Sequence, residues 1–123
     1  MIIVSVDPGI STGIAKHCIE SNSSWILTLP LAQAYEFVKN DAYNILVVET
    51  MPTHETNPDQ YLKSFYYEFL SLPNAKKVSP GNWKPLAKAQ EWKCAGNTPH
   101  EIDAWNILRF WCLVTYRQDI GEF

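Results

Sequence analysis

Three acids and a histidine stand where apolar segments begin or end. Asp7 closes the β-branched run Ile2-Ile3-Val4-Ser5-Val6, and Glu49 closes Ile45-Leu46-Val47-Val48. His100 and Asp103 lie three apart at the start of an apolar C-terminal stretch. A carboxylate at the edge of a core is costly to desolvate unless a cation pairs with it. Positions i and i+3 share one face of a helix, so His100 and Asp103 project together from its first turn. Taken alone, Asp103 also suits the helix dipole and His100 a surface position. Three carboxylates and an imidazole converging on one edge repel one another unless divalent cations neutralise them. Oxygen-rich donors favour Mg2+ or Mn2+ over zinc. Two such ions about 3.5–4 Å apart stabilise the attacking and leaving oxygens of phosphodiester hydrolysis.

Competing chemistries lack their residues. His100-Glu101 is not a zinc-protease motif, because Ala104 stands where H-E-x-x-H needs its second histidine. His54-Glu55 has no P-C-x-x-C behind it, as a zinc deaminase requires. There is no Walker loop and no G-x-G-x-x-G. Cys18, Cys94 and Cys112 are odd in number and widely spaced, which reads as reduced thiols in a cytosolic protein without structural zinc.

The elements that must position these groups follow from pattern. Ile2 to Val6 reads as a buried central strand, Pro8-Gly9 as a turn, and Ile10 to Ala15 as its antiparallel partner. Ser24 to Leu29 completes a meander that Pro30 ends. Leu31, Ala34, Tyr35 and Val38 fall at helical spacing, which predicts a helix over 31–39. Asn44 to Glu49 predicts a strand buried on both faces. Pro52 to Asn57 reads as a loop, with Asn57-Pro58 capping a helix that Pro73 stops. Lys76 to Ser79 predicts a fifth strand, Pro80-Gly81-Asn82 a turn with Asn82 as cap, and Trp83 to about Trp92 a helix. Thr98-Pro99-His100-Glu101 is a capping box that opens a last helix running to about Tyr116, apolar nearly all round and so expected against the sheet. The sum is an α/β chain with a five-stranded mixed sheet flanked by helices.

At 123 residues the chain is expected to form one domain over 1–123. With 46% hydrophobic and 19% charged residues it has the composition of a folded globular protein. No apolar run is long enough to span a bilayer, and no basic leader precedes the first strand, so no membrane association and a cytoplasmic location are expected. The net charge of −3 argues against a polyanionic partner until its distribution is considered. Lys63, Lys76, Lys77, Lys84, Lys88 and Lys93 are interrupted only by Glu68 and Glu91, so the middle of the chain can carry a phosphate-binding face.

With these pieces in order, the chain resembles the RuvC-type Holliday junction resolvases of the RNase H-like superfamily. The resemblance is carried by Val4-Ser5-Val6-Asp7-Pro8-Gly9-Ile10-Ser11-Thr12-Gly13, Val47-Val48-Glu49, Pro80-Gly81-Asn82-Trp83-Lys84 and His100-Glu101-Ile102-Asp103-Ala104. It implies an RNase H-like fold and a structure-specific endodeoxyribonuclease that nicks four-way DNA junctions as a homodimer. It also implies two Mg2+ ions per active site, with Mn2+ substituting, held by Asp7, Glu49, His100 and Asp103. In that reading Asp7 bridges the ions, His100 ligates or positions water, and Lys84 offsets charge developing on the phosphate. Ser11, Thr12, Lys76, Lys77, Lys84, Lys88 and Lys93 are the expected DNA contacts. The interval from Lys84 to His100 is shorter than the family's, and Lys88 stands nearest to a second family lysine. So short a member suits a virus or prophage, which would place it in the host cytoplasm.

Other readings share some of these residues. An RNase H-like nuclease acting on flaps, forks or RNA would use the same acids. A non-catalytic nucleic-acid-binding protein would need only the lysines. Asp7-Pro8-Gly9-Ile10-Ser11-Thr12-Gly13 also resembles the phosphate loop of the actin and sugar-kinase fold, a nucleotide-binding module that needs a second domain.

Overall fold

In the computed structural model, which describes residues 1–50 and 60–123, the sheet is built around the first strand. β1 (Ile2–Asp7) pairs antiparallel with β2 (Ser11–Cys18), which pairs antiparallel with β3 (Ser23–Pro30). On its other side β1 pairs parallel with β4 (Ile45–Glu49), and β4 pairs parallel with β5 (Ala75–Val78). The order β3-β2-β1-β4-β5 thus puts β1 at the centre and is the five-stranded mixed sheet expected from the pattern.

Strand side chains alternate between faces, and here the alternation divides two cores. Val4, Val6, Ile14, Leu46 and Val48 pack with Leu31, Ala34 and Val38 of α1 (Leu31–Lys39) and with Tyr66 and Phe69 of α2 (Gln60–Leu70). Ile3, Ala15 and Val47 pack on the opposite face with Trp83 of α3 (Pro80–Ala89) and with Ala104, Trp105, Ile107, Leu108 and Cys112 of α4 (Pro99–Tyr116). The apolar α4 therefore lies against the sheet, as its composition requires.

Several boundaries differ from the sequence reading. β2 begins at Ser11 and runs on to Cys18, because pairing with both β1 and β3 carries the polar Lys16 and His17 into the ladder. Ile10 stays in the turn, 64% exposed. β5 is shifted by one residue to Ala75–Val78. α3 starts at Pro80, not Trp83, and ends at Ala89. Ser79 is its cap, and Asn82 sits in the first turn, where its Oδ1 accepts from Ser79 N (3.2 Å) and Ser79 Oγ (2.6 Å). Proline at the first helical position lacks only an N–H that would have no helical partner, so Pro80-Gly81 opens the helix without turning the chain. α2 ends at Leu70, short of Pro73. The expected loop over 52–57, the Asn57 cap and the His54-Glu55 pair lie outside the described residues.

Candidate active site

The site is assembled by register. Ile3, Val4, Ser5 and Val6 of β1 stand beside Ile45, Leu46, Val47 and Val48 of β4, so Asp7 and Glu49 occupy the next position in the same parallel register. By alternation both belong to the face of Ile3 and Val47, the face that α4 covers. Both also end their strands, where the ladder stops and the core gives way to solvent. Asp7 is nevertheless only 9% exposed.

The start of α4 is pinned to three strands. Ser5 Oγ donates to the carbonyl of Ala104 (2.5 Å). Thr28 Oγ1 donates to Glu101 Oε2 (2.9 Å), and Glu101 is itself buried. The predicted cap forms, with Glu101 N donating to Thr98 Oγ1 (3.1 Å). Gly13, which pairs with Asp7 across the β1–β2 ladder, lies directly under the His100 backbone, so close that a Cβ there would overlap the His100 carbonyl oxygen. These contacts leave α4 little freedom to shift, and they set His100 and Asp103 over Asp7. His100 Nδ1 is 3.7 Å from Asp7 Oδ2.

The electrostatics show how tightly the acids are gathered. The Asp7 carboxyl is pushed up to about 8, first by burial, then by the negative charges of Glu49 and Asp103. The Glu49 carboxyl is also raised, by burial, against the opposing pull of a hydrogen bond from Trp83, another from Asp7, and the Lys84 charge. Asp103 is raised by burial, while Lys84 and His100 draw it down. Lys84 acts on all three acids, so α3 brings the expected cation to the cluster. Trp83 Nε1 donates to Glu49 Oε2 at 2.6 Å.

Among the described residues, no three His, Cys, Asp or Glu side chains are close enough together as placed to enclose a metal ion. Asp7 and Glu49 are neighbours in the parallel register, and burial together with the charges of Glu49 and Asp103 makes the Asp7 carboxyl hold its proton. The donor set still fits a hard divalent cation. It is rich in carboxylate oxygen, and burial and crowding have raised its demand for positive charge, which a proton meets in the metal-free protein. Asp7, Glu49 and Asp103, with His100 beside them, are the residues that would hold it.

Of the expected DNA contacts, Ser11, Lys76, Lys77, Lys84, Lys88 and Lys93 are exposed. Lys76 and Lys77 lie on the edge strand β5, and Lys84 and Lys88 on α3. Thr12 is fully buried, and its hydroxyl donates to the carbonyl of Gly9 (2.8 Å), so it shapes the turn after Asp7. Sequence reasoning missed Trp83 as a partner of Glu49. The available signal was a tryptophan beside the proposed lysine, since a buried indole N–H needs an acceptor.

No protein-family model matches the chain, and no curated protein matches it at a significant level. Among solved structures, RuvC of T. thermophilus in complex with Holliday junction substrate superposes with a TM-score of 0.63 and 15% identity, over 94% of this chain and 96% of that one. A second Thermus thermophilus RuvC structure gives 0.60 and 14%, over 93% and 96%. A Fowlpox virus resolvase with Holliday junction DNA matches at 0.40 and 22%, over 64% and 59%, too loosely to bear on the fold. Among the described residues, no helix is long and apolar enough to cross a membrane. With identities this low the likeness is one of architecture, and the chain has the RuvC fold, an RNase H-like sheet with a cluster of acids where its two central parallel strands end.

Proposed function

We propose that this protein is a metal-dependent endodeoxyribonuclease that resolves four-way DNA junctions by paired nicks as a homodimer. The observation that carries the reading is the meeting of Asp7, Glu49 and Asp103 from three separate elements, with Lys84 acting on each of them. A structural role does not call for three buried or half-buried acids, each raised by burial, two of which raise the third, Asp7, further. Binding of cations and a phosphodiester does. The overlap with a RuvC structure that contains a Holliday junction supports the choice of substrate.

Bound divalent ions would supply an activated water and stabilise the departing oxygen. The chain's own groups do the rest. Asp7 and Glu49, fixed by the parallel register, present carboxylate oxygens from a rigid sheet edge. Asp103 adds a third from α4, and His100, 3.7 Å from Asp7, is placed to ligate or to orient the water. Lys84, on the first half of α3, faces the same acids and offsets negative charge that grows on the phosphate. Lys76, Lys77, Lys88 and Lys93 are exposed and available to backbone phosphates. α2 leaves Tyr61 and Tyr67 more than half exposed, at 54% and 56%, which supports pairing of two copies through this helix.

The deciding experiment is cleavage of a labelled immobile four-way junction beside duplex, fork, flap and RNA–DNA hybrid, with Mg2+, Mn2+ or EDTA. Preferential, paired nicking of the junction that stops in EDTA is expected. Cleavage that persists in excess EDTA, or that prefers a fork or a hybrid, would sink the junction-resolving reading.

A further inference from the structure

The hydrogen bond from Trp83 to Glu49 sets how Glu49 can meet a cation. Trp83 is 3% exposed and packs in the core formed with Val78, Ile3 and α4, so its indole cannot swing away without opening that core. Its Nε1 donates to Glu49 Oε2 at 2.6 Å, a short bond of the kind made to charged acceptors. The start of α3 is itself held by Ser79 and Asn82. The next residue, Lys84, keeps its ammonium 5.6 Å from the centre of the Trp83 ring while acting on the same carboxylate. Two adjacent residues of one helix therefore divide the work on Glu49, one fixing its plane and the other supplying charge.

We infer that Trp83 is a positioning residue that holds Glu49 by one oxygen, so that Glu49 meets a divalent ion through the other alone. This rests on the metal-dependent reading given above. Chelation through both oxygens would require the carboxylate to turn its Oε2 from the indole towards the ion. Ca2+ accepts two-oxygen carboxylate ligation and loose geometry, whereas Mg2+ requires compact octahedral ligation and takes carboxylates one oxygen at a time. A carboxylate clamped on one side thus favours Mg2+ over Ca2+, and the clamp is a determinant of which ion the site selects. Outer partners of ligating groups commonly change metal affinity by about 10–100-fold when removed.

The test uses the DNA-free protein and reads binding, not turnover. Trp83→Phe keeps an aromatic ring in the core but removes the N–H. Calorimetric titration with Mg2+ and with Ca2+ should show Mg2+ affinity falling about 10–100-fold with Ca2+ affinity changing less, so that the Mg2+/Ca2+ ratio drops. Because the substitution also removes core volume, a second measurement is made on the parental fold. With 15N-labelled tryptophan, Glu49→Gln should shift one indole N–H resonance, and Mg2+ should shift the same resonance in the unaltered protein. An unchanged Mg2+/Ca2+ ratio in folded Trp83→Phe, or no indole resonance that responds to both Glu49→Gln and Mg2+, overturns the inference. If the parental protein binds neither ion, the metal-dependent reading fails first and takes this inference with it.

Discussion

Gly13 and His100 are in backbone contact: the carbonyl of His100 occupies the space that any side chain at position 13 would need. Gly13 is also the ladder partner of Asp7. One residue without a side chain thus lets the first turn of α4 settle directly above the strand end that carries Asp7. Gly13→Ala must lift α4 or distort β2, and overpacking of this kind costs about 1–3 kcal/mol. Because the obstacle is backbone, which cannot rotate aside, the upper part of that range is expected in urea melts. Nuclease activity should fall further than the folded fraction does. A variant as stable and as active as the parent would refute the role given to this contact.

The metal-free protein should lose stability as pH rises from about 4 to about 8. The Asp7 carboxyl ordinarily titrates near 3.8 but is pushed up to about 8 in the fold, chiefly by burial and then by Glu49 and Asp103. Between those values the folded state holds a proton that the unfolded state has released, so unfolding is favoured as protons are withdrawn. Above about 8 the Asp7 contribution levels off. Thermal melts in EDTA across this range should show the decline, and Asp7→Asn should flatten it. A melting temperature that rises over the same interval would contradict the placement of the Asp7 proton.

Asp7→Asn also separates binding from chemistry. It keeps the side chain's size and leaves the position uncharged, as the proton on Asp7 does in the metal-free fold below about pH 8. Folding should survive, and junction affinity in gel-shift assays should persist or rise, since it rests on lysine–phosphate contacts. Cleavage should drop by at least about a hundredfold, the order seen when a transition-state contact is lost. Soluble protein that nicks junctions at the parental rate would exclude this active site.

The lysines should divide into two classes. Lys84→Ala should lower the cleavage rate far more than affinity, because Lys84 acts on the acids of the site. Lys76→Ala and Lys77→Ala, on the exposed edge of β5, should weaken binding of all DNA forms similarly and reduce the salt dependence by about one counterion each. Affinity measured from low to high salt tests this. Equal effects of all three on the single-turnover rate would count against the division.

Light scattering at micromolar concentration should give the mass of a dimer, and charge placed on the exposed face of α2 by Tyr67→Glu should shift it to a monomer without unfolding it. Tyr67 is 56% exposed, so its loss opens no core cavity. A monomer in the presence of junction DNA would argue against paired nicking by two copies.

Much of the positioning was legible in the chain because it depends on local pattern. The runs ending in Asp7 and Glu49 are central strands, the α1 boundaries are those of the apolar period, and the Thr98 cap sets the start of α4 where the sequence places it. His100 and Asp103 then share the first turn of that helix through helical geometry alone. What the sequence could not decide is which strand ends become neighbours, because pairing between residues 42 positions apart is set by the whole sheet. The parallel register of β1 with β4 brings Asp7 beside Glu49 on the face that α4 covers. The direction of Trp83 likewise depends on α3 beginning at Pro80, three residues before the helix the pattern suggested. Thr12 is an expected DNA contact in the linear motif, but in the fold it is buried and its hydroxyl is spent on the Gly9 carbonyl. Residue types and local periodicity determined the chemistry on offer, whereas burial and register, which exist only in the folded sheet, decided which groups meet and how strongly they perturb one another.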